Sequence, residues 1–212
     1  MPEGRPPLLP ADDPASLTEA VLAMQAGGIV GIPTETVYGI GVVPRPEALA
    51  ALIAAKQRPE DKGVALLIDG LDQVEGLVEV AAPARRLATR YWPGALTLVL
   101  PLRRPDLVPQ GVTGGRDTLG LRIPDHPVPR ALSRELGPIA VTSANRSGEA
   151  PATLPEELIA SVGHALALVL DDGPVRGGVA STVVSVHADG GWQVLREGAI
   201  GPDEIGVVAD RG

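Results

Sequence analysis

Two rhythms of apolar residues run along this chain. Stretches with three-to-four spacing read as helices, and short unbroken apolar runs between Gly and Pro read as buried strands. Asp13-Pro14 has the form of an N-cap followed by proline at the first helical position, and the helix continues through LTEAVLAMQA to a stop at Gly27-Gly28. The run IVGIP (29–33) predicts a strand that ends in the polar segment Thr34-Glu35-Thr36-Val37-Tyr38-Gly39. Pro46 opens a second helix, EALAALIAAK, which must end near Lys56 because Pro59 cannot continue it. Further strands are predicted at VALLI (64–68), ALTLVLP (95–101), LGLRIP (119–124), IAVT (139–142), ALALVL (165–170), STVVSV (181–186) and WQVLRE (192–197). Helices are predicted at PARRLATRYW (83–92), closed by Pro93-Gly94, and at PVPRALSREL (127–136). This alternation predicts an α/β fold, and the late strands with few helices between them predict a mixed sheet.

No composition break, internal repeat or low-complexity tract divides the chain. One domain is therefore expected over 13–207, between a Pro-rich, loosely held lead-in (1–12) and a short tail (208–212). With 212 residues, 44% of them hydrophobic and 21% charged, the chain is able to bury a sizeable core. Phe is absent and there are only two Trp and two Tyr, so Leu, Val, Ile and Ala must fill that core, which suits a parallel or mixed sheet. Cys is also absent, which excludes disulfides, thiolate catalysis and Cys-based zinc sites. His126, His164 and His187 are widely spaced, and no resident protein metal is expected. The opening MPEGRPPLLPADDP is not a signal peptide, and no stretch approaches the ~20 apolar residues of a membrane span. The expectation is a cytoplasmic protein without membrane contact. A net charge of −8 argues against coating nucleic acid as the main task.

Three segments leave polar side chains at the ends of buried strands, where α/β folds place ligands. In Thr34–Gly39 the hydroxyls and the Glu35 carboxylate are suited to gripping an ammonium or hydroxyl group, or else to capping a turn. In Lys56-Gln57-Arg58-Pro59-Glu60-Asp61-Lys62 three cations leave a helix C-terminus. They complement the helix dipole, or, with Pro59 fixing the chain direction, they aim at one anion. In Thr142-Ser143-Ala144-Asn145-Arg146-Ser147-Gly148 small residues suit either a backbone nest for phosphate or an ordinary loop. Thr153-Leu154-Pro155-Glu156 reads as a capping box, outside the site. The P-loop, the GxGxxG fingerprint and the GxSxG elbow are all missing, and Asp171-Asp172 before Gly173-Pro174 reads more readily as a turn than as a magnesium site.

PTETVYG, K-x-R, VTSANRSG, STVV and VLREGAI occur in that order and together resemble the YrdC/Sua5 family of threonylcarbamoyl-AMP synthases, over roughly residues 15–206. WPGALTLVL (92–100) and LGLRIPDHPV (119–128) also look like family segments. The resemblance is to the short YrdC/TsaC type. It implies a single-domain, YrdC-like twisted mixed α/β sheet with flanking helices and a large concave cavity. It implies that L-threonine, bicarbonate and ATP, with Mg²⁺ carried on the ATP, give threonylcarbamoyl-AMP and pyrophosphate. That product serves t6A at tRNA position 37 through a Kae1/TsaD-type transferase complex, with a weak direct tRNA contact as a further expectation.

By position, the resemblance places L-threonine at Thr34, Arg122, Thr142, Ser181 and Thr182. It places ATP at Lys56, Arg58, Lys62, Thr118, Ser143, Asn145 and Arg196, with Lys56, Arg58, Ser143 and Asn145 at the chemistry. In one place the chain departs from the family pattern. Leu67 stands where many relatives carry a histidine able to touch the threonine. Three other readings compete: an RNA-binding module, a carbamoyl-adenylate site like that of hydrogenase maturation proteins, and a paralogue without activity.

Overall fold

The computed structural model describes residues 5–59, 61–145 and 149–210. Most of its helices start on a proline at one of the first two positions, and some add a side-chain cap. In α1 (Pro14–Gln25) the Asp13 carboxylate accepts from the Ala15 N–H at 3.0 Å, and Ser16, Ala20 and Met24 form the buried stripe. In α2 (Pro46–Ala55) Ala48, Leu49, Leu52 and Ala55 are buried, and Lys56 closes the helix just before Gln57 turns to a φ of 51°. Then come α3 (Ala82–Tyr91), the single turn α4 (Gln110–Thr113), α5 (Pro127–Leu136), α6 (Pro155–Val162) and α7 (Pro202–Ala209).

The strands are β1 (Leu8–Pro10), β2 (Ile29–Ile32), β3 (Gly39–Val42), β4 (Ala65–Leu67) and β5 (Leu96–Pro101), followed by β6 (Thr118–Arg122), β7 (Ile139–Ser143), β8 (Leu166–Asp171), β9 (Thr182–Val186) and β10 (Trp192–Arg196). They join in one sheet of order β1-β8-β2-β3-β7-β4-β6-β5-β9-β10. Pairs β1–β8, β2–β8, β4–β6 and β5–β9 are parallel and the rest antiparallel, so the sheet is mixed as the strand spacing predicts.

Both faces of the sheet are apolar at its β8-β2-β3-β7 end. One face joins Leu158 and Val162 of α6, Leu49 and Leu52 of α2 and Leu87 of α3 in the larger core cluster. On the opposite face Val30, Ile32, Val141 and Leu168 pack against Ala20 and Met24 of α1 and Val128 and Leu132 of α5. Asp69, just beyond β4, holds α5 in place through Arg130 Nε at 2.6 Å and Arg134 NH1 at 3.1 Å. On that face the helical cover reaches β4 through Leu67, no residue of β6, β5 or β9 joins it among the described residues, and there the sheet lines a cavity.

Several elements differ from the sequence reading. Leu8–Pro10, placed in the loose lead-in, instead pairs with Val169–Asp171 as an edge strand. The strand Gly39–Val42 has two glycines and no alternation to betray it. Those glycines are what the packing needs, since a Cβ at Gly39 or Gly41 would come 2.7 or 2.9 Å from a Val141 methyl carbon. α7 extends past the expected boundary at 207 and docks on α3, where Arg86 donates to the Val208 and Ala209 carbonyls. At α6 the capping acid is Glu157, not Glu156. Its carboxylate accepts from the Thr153 N–H at 2.7 Å, the Thr153 hydroxyl at 3.0 Å and the Leu154 N–H at 3.3 Å.

Candidate active site

The period of two that defines a strand sets the composition of the cavity. Along β5, Thr97 and Val99 face it while Leu96, Leu98 and Leu100 enter the core behind. Along β6, Thr118, Gly120 and Arg122 face it while Leu119 and Leu121 do not. Ala65 and Leu67 of β4, Val141 to Ser143 of β7, and Ser181 and Val183 at β9 complete the floor. Small residues at Gly39, Ala65 and Gly120 keep the floor low, and the enclosed volume is ≈ 560 Å³, within the usual range for small-molecule sites.

Cations line the walls. Arg58, Lys62, Arg116, Arg122 and Arg196 all border the cavity, and no carboxylate does among the described residues. The three guanidiniums that are held by hydrogen bonds each leave one edge unassigned. Arg122 donates through Nε to Gly94 O at 3.1 Å and through NH2 to Thr36 Oγ1 at 2.9 Å, and NH2 also stands 2.7 Å from Glu35 Oε1. Its NH1 protons have no partner among the described residues. Arg58 donates through Nε to Lys62 O and through NH2 to Gly63 O, and Arg196 donates through NH2 to Ser181 O at 2.7 Å. In both, too, NH1 is uncommitted among the described residues. An arginine has five donors in a fixed fork, so such an edge suits a carboxylate or phosphate.

The electrostatics point the same way. Burial, and then the charge of Arg196, lowers the Arg58 guanidinium from its ordinary value. Burial, and then Arg122, does the same to Arg196. A chain of mutually repelling cations in a half-buried cleft is stabilised by a bound polyanion.

Lys56 occupies a different place from Arg58. It is fully buried and does not line the cavity. Its ammonium donates to Ser143 O, to Asn145 O at 2.5 Å and to Asn145 Oδ1 at 3.4 Å. Lys56 thus ties the end of α2 to the loop after β7. Asn145 is buried alongside it and donates through Nδ2 to Glu149 O at 2.8 Å. Glu60, Arg146, Ser147 and Gly148 of the polar segments lie outside the described residues.

Of the residues expected at a site, the fold brings Thr34, Arg58, Lys62, Thr118, Arg122, Thr142, Ser143, Ser181 and Arg196 to the one cavity. It does not bring Lys56, Asn145 or Thr182 to the lining. The Thr182 hydroxyl donates to Ile200 O at 2.7 Å and accepts from Ile200 N, which holds the chain after β10 against β9. Thr34 belongs to the cavity wall, yet its hydroxyl serves its own turn, accepting from Thr36 N and Val37 N and donating to Val37 O at 2.6 Å. No helix follows that turn. Three polar lining residues escaped the sequence reading, Thr97, Thr113 and Arg116. Thr97 carried a signal, being the single polar residue inside the strand LTLVL. Arg116 carried none beyond following Gly114-Gly115, the first of which packs closely against Asp61 and Gly63.

Comparison with known proteins extends the picture. The Sua5/YciO/YrdC family model, described as telomere recombination, matches residues 22–198. The threonylcarbamoyl-AMP synthase of Bacillus subtilis is 39% identical over 203 residues, covering 94% of this chain and 58% of the relative. That of Xanthomonas campestris is 38% identical over 190 residues, covering 85% of this chain and 97% of the relative. The crystal structure of P. abyssi Sua5 complexed with L-threonine superposes with a TM-score of 0.87 at 33% identity, covering 95% of this chain and 60% of that one. The chain therefore spans somewhat over half the length of two of these relatives and nearly all of the third.

Proposed function

The chain belongs to the Sua5/YciO/YrdC family, and from that premise we propose that it is a threonylcarbamoyl-AMP synthase. The reaction joins L-threonine, bicarbonate and ATP. The threonine amine adds to bicarbonate with loss of water, or to the CO₂ in equilibrium with it with loss of a proton, giving N-carboxy-threonine. An oxygen of the new carboxylate then forms a bond to the α-phosphorus, the bond from that phosphorus to the bridging oxygen of pyrophosphate breaks, and pyrophosphate leaves. No protein nucleophile is needed. The requirement is for alignment and for neutralising charge on the phosphates.

The observation that carries this reading is the set of three backbone-anchored guanidiniums, Arg58, Arg196 and Arg122, each with an edge uncommitted among the described residues, in one cavity. Arg122, with Thr142 and Ser181, is assigned to the threonine end, and L-threonine as the substrate is supported by its complex with the P. abyssi relative. Arg58, Lys62, Thr118, Ser143 and Arg196 are assigned to the ATP end. Lys56 and Asn145 are assigned a supporting role, holding the Ser143–Asn145 loop in register. Thr34 contributes the shape of the wall and Thr182 the position of Ser181 beside it. Mg²⁺ would arrive on the triphosphate as part of that substrate; the lining holds no carboxylate among the described residues. Among those residues, too, no helix is long and apolar enough to cross a membrane. Work in the cytoplasm, hand-over of the acyl-adenylate to a Kae1/TsaD-type transferase complex, and weak contact with tRNA complete the proposal.

The test is pyrophosphate release from ATP with L-threonine and bicarbonate each present or omitted, and L-serine as control. Release that needs both and favours threonine is the expected result. ATP turnover independent of threonine would overturn the substrate, and folded protein without turnover would overturn the activity.

A further inference from the structure

The floor of the cavity holds two hydroxyls whose protons do not balance. Thr97 Oγ1 and Ser181 Oγ lie 2.9 Å apart, both buried, on neighbouring strands. Arg196 NH2 reaches Ser181 Oγ at 3.3 Å. A guanidinium has no acceptor, so the serine oxygen accepts there. Each hydroxyl brings one proton. One of the two protons lies in the Thr97–Ser181 bond, and the other has no acceptor among the described residues. Both side chains border the cavity, so that proton faces whatever fills it.

Position adds meaning to the count. One residue on from the Leu98–Leu121 pair, Thr97 comes alongside Arg122 on β6. Ser181, on its other side, is bonded to Arg196. The pair therefore lies where the Arg122 end of the cavity meets the Arg196 end. A branched Cβ makes the threonine torsion stiff. Its methyl faces the space left by Gly120, 3.8 Å from where a Cβ would stand, and its hydroxyl turns to Ser181.

We infer that Thr97 is a positioning residue which, with Ser181, presents one O–H donor to the anion bound between Arg122 and Arg196. The identity of that anion rests on the proposed activity, under which it is the carboxylate formed on the threonine nitrogen, next to the α-phosphate. Whichever way the shared proton lies, the pair has one donor to offer, and both the substrate carboxylate and the carbonyl of the product's mixed anhydride accept it.

The experiment compares Thr97→Val, Thr97→Ser, Ser181→Ala and the double variant Thr97→Val/Ser181→Ala. Steady-state kinetics are run with varied L-threonine, and ATP and L-threonine are titrated calorimetrically against the same proteins. Valine keeps the volume and the branch but removes the hydroxyl. The expected result for Thr97→Val is a loss of roughly 10- to 100-fold in kcat/KM for L-threonine, the size of one hydrogen bond to a charged group. Most of that activity should return in Thr97→Ser, and the double variant should be no worse than the poorer single one. Three outcomes would overturn the inference: wild-type kcat/KM in Thr97→Val, equal losses in the valine and serine variants, or additive losses in the double variant. If wild-type protein binds ATP and L-threonine without turning them over, the activity fails and the same comparison is read from the affinities. If it binds neither, both ideas fall.

Discussion

Lys56 shows how far a residue's role depends on where its side chain is taken. From the sequence it stands beside Arg58 as one of two cations leaving a helix, and both suit a phosphate. In the fold the arginine reaches the cavity, and the lysine turns into the protein to meet three oxygens of Ser143 and Asn145. Burial, and then the charge of Arg58, pulls the ammonium from its ordinary 10.5 down to about 8. Two effects of opposite sign follow. A neutral amine has one donor fewer, so the loop carrying Ser143 is held less firmly and turnover falls along a basic limb near pH 8. Stability runs the other way. The folded value lies below the unfolded one, so the cost of charging Lys56 is full below about 8 and relieved as pH rises toward 10.5. Urea denaturation of wild type and Lys56→Met across this range tests it. Wild type should gain stability relative to the variant as pH rises, while its kcat/KM falls. Parallel stability curves would show that the ammonium is not buried at a cost.

At the level of elements, β6 decides what the cavity admits. Thr118, Gly120 and Arg122 share its open face, and the glycine between the two polar residues is the low point of the floor. A Cβ at Gly120 meets nothing closer than the Ala65 Cβ at 3.4 Å, an ordinary contact. Gly120→Val should therefore fold with a melting temperature close to that of wild type, because a branched residue suits a strand. Its methyls would stand in the space meant for ligand, and affinity for L-threonine and ATP should fall at least roughly tenfold by calorimetry, the scale of a lost close contact. Undiminished binding by the folded variant would place the ligands elsewhere. A second element works from the side. Residues 172–178 strap the Thr34–Tyr38 turn, with Gly177 N bonded to Glu35 O at 3.1 Å, Gly178 N to Thr36 O at 2.8 Å and the Tyr38 hydroxyl to Gly173 O at 2.8 Å. That strap delivers the chain to Ser181 and joins the two walls of the cavity, which no local pattern announces.

For the molecule as a whole, a net charge of −8 coexists with a cavity lined by five cations and no carboxylate among the described residues. Most acids among the described residues lie on the outside, Glu35 beside Arg122 being an exception, and the fold gathers the opposite sign into one cleft, where low-dielectric walls strengthen it. ATP affinity should accordingly weaken as ionic strength rises, while binding of uncharged adenosine should change little. Equal salt responses of the two ligands, titrated side by side, would remove the electrostatic account. Much of this architecture was legible beforehand. Apolar runs and Gly/Pro punctuation located eight of the ten strands, because period and turn chemistry are local properties. The ordered K-x-R and S-x-N motifs pointed to the family, since residue types at fixed spacing survive in the sequence itself. What the chain alone did not disclose depends on distant partners. Leu8–Pro10 becomes a strand only because β8 offers it an edge, and Gly39–Val42 only because Val141 needs the room. That Arg58 and not Lys56 borders the cavity, and that the Thr97 and Ser181 hydroxyls meet across 84 residues of chain, were settled by the tertiary packing that brings them together. Sequence determined which groups were available, and tertiary packing, by fixing direction and burial, decided which of them meet.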